Sequence, residues 1–212
     1  MKKLNKDLFG WMVAAILAGI LASAGFQGAT ESVAVVDLQK VIKSSDFYKL
    51  KEAEFQGQLA LRNTLLKFIN DNRVISAEQW PKLRDLSLKD KPTDAEKGDL
   101  QKLQATITDQ SKKLVALQGK QGKTADDVTL MEEYQRWVQQ VQVSATSLQD
   151  QIMNQELPGL QAAAAKAVED KAREAVQAIG KEQGYTIVYD TLAAPYGAHD
   201  LTTDSLARMN KH

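Results

Sequence analysis

The sequence predicts a mainly α-helical protein: a long antiparallel helical hairpin on a small β head built from the two chain ends. Three observations carry this expectation. A three-four hydrophobic repeat runs through Leu100, Leu103, Ile107, Gln110, Leu114 and Leu117, then resumes at Val128, Met131, Tyr134, Val138, Val141, Ala145, Leu148 and Ile152. Such spacing places the side chains in one narrow stripe, the seam of a coiled coil. Between the runs lies Gly119-Lys120-Gln121-Gly122, which marks a tip near 119–122. Finally, the β-branched runs stand at opposite ends of the chain, Val33 to Val36 and Tyr185 to Tyr189.

Taken in order, Lys2, Lys3 and Lys6 precede an apolar run from Leu8 to Leu21, followed by Ala22-Ser23-Ala24. Basic residues, a short apolar core and small residues make a secretory signal peptide over 1–24. The run is shorter than the roughly 20 residues that span a bilayer, although an uncleaved anchor remains the alternative. After export, residues 25–38 and 184–212 form the β-rich oligomerisation head, with a third extended piece near 194–197 and a terminal helix from Leu201 to Met209 capped by Thr202 or Thr203.

The helical arm is expected over 39–183. Its outgoing limb, 39–75 plus 94–118, holds 62 residues against 60 in the returning limb, 124–183, each about 90 Å long. Thr93 with Glu96 and Thr124 ahead of Asp126 and Asp127 are helix-start signals. The heptad phase carries through the break at Leu117, Gln121, Thr124 and Val128, so one continuous helix is the rival reading; two glycines and a fresh cap disfavour it by roughly 2 kcal/mol, and a hairpin is expected. The insert at 76–93 opens on a capping box, Ser76 to Gln79, and carries Trp80; Asp90-Lys91-Pro92 closes it. Leu157-Pro158-Gly159 must kink or interrupt the returning helix. An alanine stripe from Ala162 to Ala178 allows close helix approach near the head.

Composition bounds function. The chain has 27 basic and 27 acidic residues, so it offers no general attraction to nucleic acid or anionic lipid. With no cysteine, disulfides and thiol chemistry are excluded. His199 and His212 stand without a neighbouring carboxylate pair, and neither a metal, a cofactor nor a catalytic residue is expected. The outgoing helix is apolar over more than one face, and two short strands cannot stand alone. Both features call for a homo-oligomer, assembled through Val33, Val35, Val36, Ile187, Val188 and Tyr189. Phe55, Leu59, Leu66, Ile69, Trp80 and Trp137 are the candidate client-binding residues. Lys112, Lys113, Lys120 and Lys123 make a basic tip.

With these features the chain resembles the Skp (OmpH-like) family of periplasmic chaperones. The late block carries most of the likeness: Ala175 to Ile179, Gly184 to Asp190, Pro195-Tyr196-Gly197 and Asp200-Leu201-Thr202. The resemblance implies a homotrimer whose head is a shared β-barrel. Its three arms would hold unfolded outer-membrane β-barrel proteins in a cavity, without ATP, preventing aggregation in transit across the periplasm. Contact with a membrane surface or lipopolysaccharide, described for some members, is a further possibility that the resemblance raises, with no residue here assigned to it; the balanced charge separately argues against nucleic acid as a partner. One departure stands out. The best-known members are strongly basic, whereas residues 51 to 165 here hold 15 basic and 16 acidic side chains. The alternative reading is an envelope coiled-coil scaffold, held to the inner membrane by an uncleaved Leu8 to Leu21 segment.

Overall fold

A computed structural model describes residues 32–195, 197 and 199–211. The expected signal peptide, Tyr196 and His212 lie outside the described residues. The elements are β1 (Val33–Val36), α1 (Leu38–Ser44), α2 (Asp46–Asp71), α3 (Gln79–Ser87), α4 (Asp94–Gly119), α5 (Ala125–Gln151), a π-helical turn (Ile152–Glu156), α6 (Leu157–Glu182), β2 (Ile187–Asp190) and α7 (Thr202–Met209). They form two compact units, one from the residues up to Phe55 and from Gly159 onward, the other from Gln56 to Pro158.

In the first unit β1 is the middle strand. It pairs in parallel with β2, Val33 opposite Ile187 through Val36 opposite Asp190. On its other edge a single parallel bridge joins Val35 to Asp200. There the Val35 N–H donates to the His199 carbonyl and the Leu201 N–H to the Val35 carbonyl, both at 2.8 Å. An extended piece therefore lies at 199–201; of the expected piece at 194–197, Tyr196 is not among the described residues. After β2 the chain enters a turn in which the Ala193 and Ala194 N–H groups both donate to the Asp190 carbonyl. β2 starts at Ile187 and not at Tyr185. Gly184 adopts φ +77, its N–H donates to Lys181, and the Tyr185 N–H reaches back to the Gly180 carbonyl. This pair of bonds is a Schellman motif, which spends the Tyr185 backbone on closing α6.

Behind the sheet, Val36, Leu38, Val41 and Ile42 pack with Ala165, Val168, Ala172 and Ala175 of α6 and with Met209 of α7. The alanine stripe thus does what small residues allow, letting α6 approach closely. A second cluster joins Ala34, Ile179 and Leu201, with Tyr185 and Val188 against it. Asp37 caps α1 by accepting from the Lys40 N–H at 2.8 Å, while its own N–H donates to Thr202 Oγ1. Neither Thr202 nor Thr203 caps α7, contrary to the sequence expectation. Leu201 occupies the N-cap position, and Asp200 Oδ1 takes up the Thr202 N–H at 2.8 Å. The expected unbroken limb from residue 39 is also interrupted, at Ser45. Its Oγ donates to the Ile42 carbonyl and accepts the Tyr48 N–H, ending α1 and starting α2 in one residue.

The second unit is helical. Ser76 and Gln79 make the reciprocal bonds of a capping box ahead of α3, and complete boxes stand at Thr93 with Glu96 and at Thr124 with Asp127. α4 and α5 pack against each other, with Leu114 and Tyr134 in one cluster beside Val74. The chain reverses through Gly122, whose φ of +65 suits glycine, so the two seams belong to a hairpin and not to one helix. Pro158 does interrupt the helix, by a change of register. The Leu157 N–H bonds to the Ile152 carbonyl, an i→i−5 turn immediately before the residue that has no N–H to give.

Candidate functional site

Burial sorts the hydrophobic repeat. Ile107 and Leu114 on α4, and Tyr134, Val141 and Leu148 on α5, are buried at intervals of seven. Of the positions between them, Leu103, Gln110, Val138 and Ala145 are half-buried, while Leu117 and Ile152 are buried as well. Val128, expected on the seam, is exposed instead, since it lies in the first turn of α5 beside the reversal.

Of the residues expected to oligomerise, Val35 and Val36 are buried within their own unit, while Val33, Ile187, Val188 and Tyr189 are half-buried. Val188 already serves both apolar clusters of that unit. Of the candidate client residues, Phe55 and Ile69 are buried and Leu59, Leu66, Trp80 and Trp137 keep part of their surface. Trp137 lies with its ring centroid 5.3 Å from that of Tyr134, against the Val74–Leu114 cluster. The large apolar side chains most open to solvent are others, notably Val115, Val143 and Leu192, at 68–73% exposure.

The basic tip is partly spent on its own helices. Lys120 pairs with Asp127, and Lys123 donates to the Gln118 and Lys120 carbonyls at the end of α4. The Lys120 ammonium, with the Thr124 hydroxyl and N–H, holds the Asp127 carboxyl at about 2. Lys89 and Thr93 hold Glu96 at about 2 in the same way. These are structural carboxylates that fasten helix starts. His199 lies against the Tyr185 ring at 5.4 Å between centroids, and among the described residues no cluster of His, Asp or Glu could hold a metal ion.

Sequence reasoning missed one surface. A shallow groove of about 670 Å³ runs along the outer face of α5 into the π-turn, from Gln142 and Val143 to Asn154 and Gln155. A signal for it exists: between Trp137 and Gln155 the only formal charge is Asp150, in a chain that is 25% charged. Elsewhere the exposed helix faces carry ion pairs such as Lys67–Asp71 and Lys166–Asp170.

These elements define a mainly α-helical protein in which distant segments of the chain share one small parallel sheet. The profile of the family described as outer membrane protein (OmpH-like) matches residues 32–209, and the chain belongs to this family of Skp-type periplasmic chaperones. No curated protein matches it. Its function is accordingly chaperone-like and non-catalytic. Among the described residues, no helix is long and apolar enough to cross a membrane.

Proposed function

We propose that the protein is an ATP-independent periplasmic holdase that binds unfolded outer-membrane β-barrel proteins between the arms of a homotrimer and keeps them from aggregating. The reading is carried by the family match together with one structural observation. β2 has β1 on one side and, among the described residues, no strand on the other, while all four of its residues are half-buried. A short strand with an open edge is suited to pairing with a second copy. In this reading Val33, Ile187 and Tyr189 meet the neighbouring protomers around Val35, Val36 and Val188. The head comprises 25–38 and 184–212, and the arm 39–183. Client contact falls to Leu59, Leu66, Trp80 and Trp137, whereas Phe55 and Ile69, being buried, support the fold. Residues 1–24 direct export and are cleaved, and the arms touch membrane surface or lipopolysaccharide only in passing.

Two measurements test this. Sedimentation of the exported protein should give a trimer, and a stable monomer would remove the shared head. At one trimer per client, a urea-unfolded β-barrel protein diluted into buffer should remain soluble; unchanged turbidity would remove the holdase. Recovery of the protein in the inner membrane with its full-length mass would favour the anchored scaffold instead.

A further inference from the structure

The π-turn corrects the phase of a buried face. Leu148 is buried, Ile152 four positions on is buried at 1% exposure, and the next buried residue is Leu157, five further on, at 2%. In an unbroken α-helix a step of five turns a side chain about 140° away from the first. The wider turn absorbs the fifth residue and returns Leu157 to the side of Ile152. Met153, Asn154 and Gln155 between them are all exposed, so the turn carries one residue that the buried face does not use. The same stretch has a second register open to it. The Leu157 N–H, which now bonds to the Ile152 carbonyl, would pass to Met153, and one of the two buried side chains would turn outward.

A line of side chains runs from this turn to the exit of the insert. Glu156 Oε2 accepts from Arg62 Nε at 2.9 Å, Arg62 donates to Gln58 Oε1 at 2.8 Å, and Gln58 Nε2 donates to Asp90 Oδ1 at 2.6 Å. Beside Asp90, Lys89 pairs with Glu96, the carboxylate that caps α4. The Gln58 amide is engaged at both ends, its oxygen on the guanidinium and its nitrogen on the carboxylate. Only one orientation of the amide satisfies both, because flipping it sets NH2 against guanidinium. We propose that these contacts form a conformational device in which Asp90, at the exit of the insert, holds the π-turn in its register. With Asp90 in place, Gln58 is oriented and Arg62 is kept on Glu156. When the Asp90 segment withdraws, Gln58 rotates, the hold on Glu156 loosens, and the turn passes to the α register. Asp90 and Lys91 are exposed, so the controlling end of the line is open to solvent while Arg62 is nearly buried.

The test reads hydrogen exchange at single amides in the exported protein. Asp90→Ala should lower protection of the Leu157 amide by about fivefold relative to that of Val141, in the middle of α5, a size usual for coupling through a chain of contacts. Asp90→Asn keeps an oxygen for Gln58 and should hold protection near the wild-type level. Deleting Asn154 removes the surplus residue, lets Ile152 and Leu157 share a face in an ordinary α-helix, and should make Leu157 indifferent to Asp90→Ala. Four results would overturn the device. They are equal losses at Leu157 and Val141, as general destabilisation gives; no change at either, as when Pro158 alone sets the register; a loss with Asp90→Asn as large as with alanine; or undiminished sensitivity in a folded Asn154 deletion. Should that deletion fail to fold, the comparison of alanine with asparagine at position 90 decides alone.

Discussion

At the scale of single residues, glycines show how closely the first unit is packed. A Cβ built on Gly197 would lie 2.2 Å from a Val35 methyl carbon, and one on Gly180 3.0 Å from a Val188 methyl carbon. Gly197→Ala should therefore cost about 1–3 kcal/mol in urea unfolding, since Val35 is held in the middle strand and cannot withdraw. Gly180→Ala should cost less, because only the tip of a half-buried side chain must shift. In the second unit, Gln110 Oε1 is buried without a partner among the described residues. Gln110→Leu should raise stability by about 1 kcal/mol, read as a higher urea midpoint at unchanged slope. The capping carboxylates give a pH signature. Glu96 and Asp127 ionise at about 2 in the folded chain, against 4.5 and 3.8 ordinarily. Depressed carboxylates contribute stability above their unfolded values and lose it as pH falls through the folded ones. Protection factors against amide exchange, corrected for the intrinsic pH dependence, should thus fall in the first turns of α4 and α5 between about pH 4 and 2, while those of the helix middles change less.

Elements differ in how far their shape could be read from the amino acids alone. The capping boxes at Thr93 and Thr124 follow from signals a few residues long, whereas the second strand is shifted from the expected Tyr185–Tyr189 to Ile187–Asp190 because Tyr185 closes α6. The break at Ser45 was not legible, because the serine that ends α1 is supported by a distant residue: the Asp46 N–H donates to Asn210 Oδ1. Periodicity identified the seam but not which of its alternating positions is deeper, as the contrast of Tyr134 and Val141 with Val138 shows. Pro158 announced an interruption without its form. The π-turn is held by contacts outside itself, for Glu156 accepts from Arg62 Nε at 2.9 Å and from Gln151 at 3.0 Å, while Arg62 also binds the Gln58 side chain and carbonyl. Arg62 is 9% exposed. Arg62→Ala should destabilise the second unit by about 2 kcal/mol. In a double-mutant cycle with Glu156→Ala, a coupling below about 0.3 kcal/mol would mean that the pair does not hold the turn.

For the whole molecule, positive and negative charge balance. With 27 residues of each sign, long-range steering is absent and only local contacts remain. Affinity for an unfolded barrel protein should accordingly change by no more than about twofold between low and high salt. A tenfold fall would show instead that local charged patches do the gripping. The groove on α5 escaped sequence reasoning because attention to apolar periodicity passes over a face defined by what it lacks.

The position of β1 has a consequence for how the protein is made. Its backbone partners lie beyond Thr186, and the bond from the Asp37 N–H to Thr202 spans 165 positions. Closing so large a loop is slow, whereas the helices between form from neighbours. A polypeptide threaded vectorially through a translocation pore would deliver β1 early and leave it unmatched until its far partners emerged. Assembly competence would then arrive as a completion signal, granted only to chains that have been delivered through to α7.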